Sequence, residues 1–433
     1  MKNNKRFLLL FSITICFQFL FAQEVSVPQT DKLPQPHLVL ESTFTVPTAF
    51  SSALDSLVFS YYAIHARKGK CKKMGTENIE YSDSIYKKRL ETLPNEIGMP
   101  FNSAVKSFIE FYVGKKRNQV EKMLGLSKYY FPIFEDALNG NDIPMEFRIL
   151  PVIESALNTN AVSRVGASGL WQFMPSTGKM YGLEVNSLVD ERCDPIKSTY
   201  AAVHYIKDLY RIYGDWHMAI AAYNCGPGTV NKAIRRSGGK RDYWSIYPYL
   251  PAETRSYVPI FIAANYVMTY YPNHNLCPAE IDMPVYTDTV LVTQRVCFAQ
   301  ISKVLSIPIE ELRILNPQYR KSIIPGSDSR EYYLRLPTHY ASKFIELKDS
   351  IYASCPEELL GNVKEKVELE QAESTINNQY TSHRHKKISY KVRRGDTLTG
   401  IANKYNVDTS DIKRWNGIRK NKIQIGQRLT IRR

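Results

Sequence analysis

Residues 298–316 and 398–416 align without a gap at a separation of one hundred residues, so the chain must be modular, with one short helical unit used twice. In the later copy Leu398, Ile401, Ala402 and Tyr405 follow the i, i+3, i+4, i+7 spacing of one helical face, and Ile412 and Trp415 mark a second short helix. The run from Tyr390 to Leu398 reads as a strand, a turn and a helix start with Asp396 or Thr397 as cap, and residues 423–431 return as a strand. In the earlier copy Ile301 stands for Ile401, Leu305 for Tyr405 and Leu312 for Ile412. There Arg295-Val296-Cys297 replaces Gly395-Asp396-Thr397, so the turn is lost and the copy reads as decayed, a packing module more than a binding one. Two small α+β modules of β-α-α-β type are therefore expected at 284–337 and 389–433, joined by a polar linker at 338–388.

A chain of 433 residues leaves room for about three domains. Lys2, Lys5 and Arg6 precede an apolar stretch from Phe7 to Phe21, with a cleavage point at Ala22-Gln23, so residues 1–22 read as a signal peptide. Leu20, larger than the usual small residue before a cut, leaves an uncleaved anchor open. Cys16 lies inside the apolar run and lacks the small residues that lipidation prefers, so a lipoprotein is the weaker reading. The expected location is the periplasm or cell envelope, with peripheral membrane association open. Residues 23–99 form an N-terminal extension, proline-punctuated at first and helical in part from about Ser60, that wraps the domain after it.

Six cysteines remain after such a cleavage, an even number that in an oxidising compartment allows up to three disulfides without assigning them. The eight His show no His-x-x-x-His helical spacing, and His383-Arg-His385 lies in a polar stretch, so neither a metal nor a cofactor is expected. From His383 onward fifteen Lys or Arg face three Asp, a net +12 of the chain's +15. On an exported chain that basic tail points to a polyanionic partner other than nucleic acid, with no obligate protein partner implied.

The chemistry concentrates between residues 100 and 275. In the helical run from Pro144 to Leu157, with Pro144 at the first helical position, Phe147, Leu150 and Glu154 share one face. A carboxyl held on an apolar face loses hydration, its pKa rises, and it can carry a proton at neutral pH. Gly166-Ala-Ser-Gly-Leu-Trp-Gln-Phe-Met-Pro175 then combines small residues with an aromatic ring and an amide, the makings of a sugar-binding surface. Ala221-Ala-Tyr-Asn-Cys-Gly-Pro-Gly228 places a phenol and an amide beside helix breakers, and Pro251 to Pro259 opens a helix with Glu253 and Tyr257 four apart on one face.

Taken together these four segments resemble the lytic transglycosylase domain of the goose-type lysozyme superfamily, in the group of the membrane-bound lytic murein transglycosylase D. The family's Glu-Ser pair falls on Glu154 and Ser155, its Gly-Leu-Met-Gln motif on Gly169 to Gln172, its Ala-Tyr-Asn motif on Ala222 to Asn224 and its Glu-Thr-x-x-Tyr-Val on Glu253 to Val258. Trp171 stands where many members have Met, and Cys225 where Ala, Ser or Gly is usual. The C-terminal unit resembles a lysin-motif (LysM) module that binds N-acetylglucosamine. That resemblance implies a glycan groove at Gly395, Asp396, Thr397, Leu398, Asn416 and Gly417.

The resemblance implies a mainly helical, lysozyme-like catalytic domain at 100–275, acting on peptidoglycan. It implies that Glu154 protonates the oxygen between N-acetylmuramic acid and N-acetylglucosamine and then takes the proton of the muramoyl C6 hydroxyl, leaving a 1,6-anhydro end. Ser163, Gln172, Tyr223, Asn224, Glu253 and Tyr257 would position the glycan, with Ser155 orienting Glu154. No Asp or Glu lies between Ser155 and Leu183, which suits a single-carboxylate mechanism. A hydrolytic muramidase on the same bond and a non-catalytic wall-binding protein are the two alternatives.

Overall fold

A 19-residue helix, Ala252–Tyr270, is buried almost all round from Thr254 to Val267, and a helix apolar on every side belongs at the centre of a bundle. It packs against the helices Ser103–Glu110, Trp216–Cys225 and Leu150–Ser155. The Arg117–Asn139 and Pro195–Tyr213 helices close the bundle outside them. Helix starts are written locally: Asp194 accepts from the amides of Ile196 and Lys197 at 2.8 and 2.9 Å, with Pro195 at the first helical position. Asp215 likewise caps Trp216–Cys225 through the Met218 amide at 2.7 Å. The computed structural model describes residues 44–354 and 387–432, apart from 59–60, 72–74, 76, 285, 328–329, 394–395, 406, 408, 419–422 and 425. The signal at 1–22, residues 23–43 of the extension, Cys355, Gly395 and most of the linker lie outside the described residues.

The described part of the extension wraps the bundle. Its Thr48–Leu57 helix sets Phe50 among Phe108, Phe111 and Tyr112, with ring centroids 5.7 to 6.2 Å apart. Arg67 exchanges both backbone hydrogen bonds with Glu280, at 3.0 and 2.9 Å, beside a disulfide between Cys71 and Cys277. Cys193, Cys225 and Cys297 are free thiols. The disulfide spans 206 residues of sequence. Breaking so long a loop closure should cost about 2–5 kcal/mol. Cys71→Ser should accordingly melt well below the parent in non-reducing buffer, and equal melting temperatures would rule that contribution out.

The two modules have separate cores. In the first, β1 (Thr287–Val292) pairs antiparallel with β4 (Tyr332–Pro337), and β2 (Arg295–Cys297) with β3 (Ile323–Pro325). β2 explains the lost turn: the residues that replace Gly395-Asp396-Thr397 are paired as strand, and Cys297 then caps the helix Phe298–Leu305. The linker expected from 338 begins later, because Thr338–Glu346 and Lys348–Ala353 are helices whose Ala341, Phe344 and Ile351 are buried in this module's core. Their apolar residues are sparse enough to read as polar sequence, yet they cover the end of β4.

The second module is β5 (Lys387–Lys391), helices Leu398–Tyr405 and Thr409–Asn416, and β6 (Arg428–Arg432) antiparallel to β5, over a core that includes Leu398, Ile401, Ile412 and Ile431. The repeat extends to one side-chain lock. Asn316 donates to Leu312 O and Arg335 O at 2.9 and 2.8 Å and accepts from Arg335 N at 2.7 Å. Asn416 does the same with Ile412 and Thr430, at 2.8, 2.8 and 2.7 Å. No helix among the described residues is long and apolar enough to cross a membrane.

Candidate active site

Glu154 sits in the last turn of a short helix, Leu150–Ser155, that follows a 3-10 turn, Met145–Ile149. The continuous helix expected from Pro144 is thus divided, with Pro144 as the cap before the 3-10 turn and Pro151 inside the first turn of the α segment. Phe147 and Leu150 are fully buried as their shared face requires, and Phe147 packs on Trp216 and Phe261. The helix stops at once after the Glu-Ser pair: Ala156 and Leu157 adopt φ of +50° and +61°. Two consecutive left-handed non-glycine residues are costly, and such backbone collects at functional sites.

The residue is part-exposed, but its carboxyl is enclosed. Burial pushes the Glu154 pKa up to about 7, against the opposing effect of a hydrogen bond from Tyr257 and with a smaller upward push from the charge of Glu253. The Tyr257 hydroxyl donates to Oε1, and burial together with the nearby carboxylate keeps that phenol protonated far above its usual range. Tyr257 is buried and Glu253 exposed, one turn apart on the central helix. Tyr223, whose pKa burial and the Glu154 charge also raise well above the usual value, donates to Trp171 O at 2.7 Å.

The glycine-rich segment folds as a turn against this helix. Ser155 is buried and donates to Pro151 O and Leu170 O, both at 2.9 Å, so its hydroxyl ties the helix to the turn instead of orienting the carboxyl directly. Gly169 has φ +83°, and a Cβ there would lie 1.8 Å from Arg192 O, so only glycine fits without backbone movement. Gln172, at φ +48°, donates to Gly169 O and Ala161 O at 2.8 and 3.1 Å. Trp171, fully buried, donates to Thr199 Oγ1 at 2.9 Å and packs on Phe134. Ser163 Oγ accepts from Ala167 N at 2.9 Å and shapes the loop entering the turn.

Asn224 Oδ1 accepts from Thr254 Oγ1 at 2.9 Å, which joins the Ala-Tyr-Asn helix end to the central helix. Thr254 lay inside the Glu-Thr-x-x-Tyr-Val motif, so the signal for it was present. Tyr205, 5.4 Å from Tyr223 between ring centroids, and Arg192 had no motif to mark them. Among the described residues no group of His, Cys, Asp and Glu is placed to hold a metal ion.

In the LysM-like loops, Asp396 accepts from Tyr390 OH and Arg393 N at 2.8 and 2.7 Å, and Thr397 Oγ1 from Gly400 N at 3.0 Å. Leu398 is buried, the Asn416 amide is spent on the backbone, and Gly417 turns the chain at φ +63°. These side chains hold the loops together.

An enclosed carboxyl with a raised pKa on a helical bundle, tied through Ser155 to a glycine-rich turn and followed by two small α+β modules, is the arrangement expected of a lysozyme-like transglycosylase. Residues 131–246 match the Transglycosylase SLT domain family, 286–353 the LysM-like domain of lytic transglycosylase MltD, and 390–432 the LysM domain. The chain is similar to the membrane-bound lytic murein transglycosylase D of Escherichia coli K12, 30% identical over 340 residues covering 78% of this chain and 70% of the relative. The soluble lytic murein transglycosylase of the same strain is 31% identical over 165 residues, covering 36% of this chain and 25% of the relative. The chain belongs to the membrane-bound lytic murein transglycosylase D family and is a peptidoglycan lytic transglycosylase.

Proposed function

We propose that Glu154 is the single catalytic acid and base of a non-hydrolytic cleavage of the bond from N-acetylmuramic acid to N-acetylglucosamine. In its protonated form Glu154 gives its proton to the bridging oxygen as the C1–O bond breaks, and the substrate's N-acetyl oxygen shields C1. The resulting carboxylate takes the proton of the muramoyl C6 hydroxyl, whose oxygen closes onto C1. No water is consumed, the product ends in 1,6-anhydromuramic acid, and Glu154 recovers its proton. Tyr257 holds one carboxyl oxygen and leaves the other to exchange the proton. Ser163, Gln172, Tyr223 and Asn224 would line the glycan path, with Ser155 acting through the turn at Leu170.

The observation that carries this reading is the enclosed Glu154 carboxyl held by the Tyr257 hydroxyl, where burial pushes its pKa up to about 7. The test is mass spectrometry of the fragments released from purified sacculi. Ends one water lighter than the reducing sugar are expected, and reducing ends would overturn it. Because the first step needs the protonated acid, kcat/KM should fall as pH rises through about 7. A rate flat from pH 6 to 8 would remove Glu154 as the proton donor.

Glu253 gives hydrolysis a specific alternative, since it is an exposed carboxylate whose charge reaches Glu154. In that case Glu253→Gln would suppress reducing ends selectively. Residues 389–433 would hold peptidoglycan through the two loops that carry Asp396 and Gly417, aided by the basic tail. Residues 1–22 would export the enzyme to the envelope, and the Cys71–Cys277 disulfide suits such an oxidising compartment.

A further inference from the structure

Residues 184–194 of the catalytic bundle serve two cores. Leu188 and Val189 are buried in the core of the 286–353 module. There Asp190 N donates to Gln318 O and Arg320 N to Leu188 O, both at 2.8 Å, and Val189 bridges Tyr319. A few residues on, Arg192 leaves this module and enters the active-site turn. Its Nη1 donates to Gly166 O at 2.7 Å and Phe173 O at 2.8 Å, the carbonyls that bracket the Gly169–Gln172 turn.

Asp190 stands between the two. Its oxygens accept from Arg192 Nε and Nη2, each at 2.8 Å, and its Oδ2 also accepts from Arg320 Nη2 of the module. The Asp190 and Arg192 side chains are each 3% exposed, whereas that of Arg320 is 45% exposed. Burial alone would raise the Asp190 pKa, but the two guanidiniums outweigh it and hold the carboxyl below its usual range. A buried ion pair of this kind is sensitive to loss of a partner, because the group left behind stays desolvated.

We infer that Arg320 and Asp190 are positioning residues for the transglycosylase site: through Arg192, the 286–353 module sets the place of the 166–173 turn opposite Glu154. This rests on the reading of that turn as part of the glycan path. The turn meets the Glu154 helix at Ser155 and Leu170 and the Tyr223 phenol at Trp171 O, so a shift of the Arg192 guanidinium is transmitted to both contacts. The decayed module then has a use that needs no glycan affinity.

The full chain with Arg320→Ala, Arg320→Lys, Asp190→Asn and the Arg320→Ala/Asp190→Asn pair tests it, with kcat and KM measured on soluble glycan strands. Because an ångström of misplacement can cost up to about 100-fold in rate, Arg320→Ala should lower kcat by roughly tenfold with KM little changed. Arg320→Lys should restore part of the rate, and the double variant should be no worse than the poorer single one. Hydrogen exchange at 166–173 should quicken in Arg320→Ala while the Ala252–Tyr270 helix stays protected, a readout that does not depend on turnover.

Parental kcat in folded Arg320→Ala, additive losses in the pair, or unchanged exchange at 166–173 would each overturn the inference. If Arg320→Ala does not fold, Arg320→Lys carries the same comparison. If the parent enzyme releases no glycan fragments, the glycan reading fails, and the exchange measurement alone still decides whether the module holds the turn.

Discussion

Glu154→Gln should abolish detectable glycan release, lowering turnover by roughly 1000-fold or more, while binding to sacculi should persist. General acid and general base assistance are each worth about 10²–10⁴ in rate, and in the proposed mechanism one carboxyl supplies both. The amide keeps the shape and can accept from Tyr257, but it has no proton to give at neutral pH. The same substitution should stabilise the fold above neutrality. Burial pushes the folded carboxyl's pKa up to about 7 from its ordinary 4.5, so between those values the native state keeps a proton that the unfolded chain has released. Stability therefore falls as pH rises from about 4.5 to 7, and the whole penalty is present above that window. Glu154→Gln should melt higher than the parent at pH 8, with the difference vanishing near pH 4. A variant that cleaves at the parental rate would remove Glu154 from the mechanism, and one that melts identically at pH 8 would contradict its burial as a charge.

Gly169→Ala is the second large effect, and it acts through the backbone. The new methyl would stand 1.8 Å from Arg192 O and 2.6 Å from Arg192 C, on a residue whose φ is +83°. Left-handed backbone costs an alanine about 1–2 kcal/mol, and an overpacked contact adds about 1–3 kcal/mol. Because Arg192 fastens both ends of the turn, the displacement reaches the Leu170 and Trp171 carbonyls. The expected outcome is a melting temperature lowered by many degrees together with loss of most activity. Gly166→Ala makes the control: its φ is +86°, but no atom lies within 4 Å of the added methyl. It should show the conformational cost alone. Equal melting of the two variants would mean that Arg192 O yields easily and the close approach at Gly169 is not decisive.

Much of the candidate site was legible along the chain because its residues sit in short runs with their own local logic. The Phe147, Leu150 and Glu154 spacing placed a carboxyl on an apolar face, and the enclosed carboxyl with its raised pKa follows from that. Leu398, Ile401 and Ala402 likewise announced a buried helical face. Roles assigned to polar side chains in turns were less legible. Asp396, Thr397 and Asn416 are committed to the backbone of their own module, and Ser155 to the carbonyls of Pro151 and Leu170. A turn needs its polar groups satisfied before it can offer any to a ligand, and sequence does not say which demand is met.

Periodicity, caps and the repeat thus determined the helix pairs of the two-module tail and the apolar setting of Glu154, since each depends on residues within a few turns of one another. Tertiary structure alone decided which Cys pairs with which, where the linker begins, and that Arg192 and Asp190 join the module to the active-site turn. Those outcomes bring together residues as far apart as Cys71 and Cys277, or Asp190 and Arg320. No local pattern of residues encodes such distances; they exist only once the cores have packed.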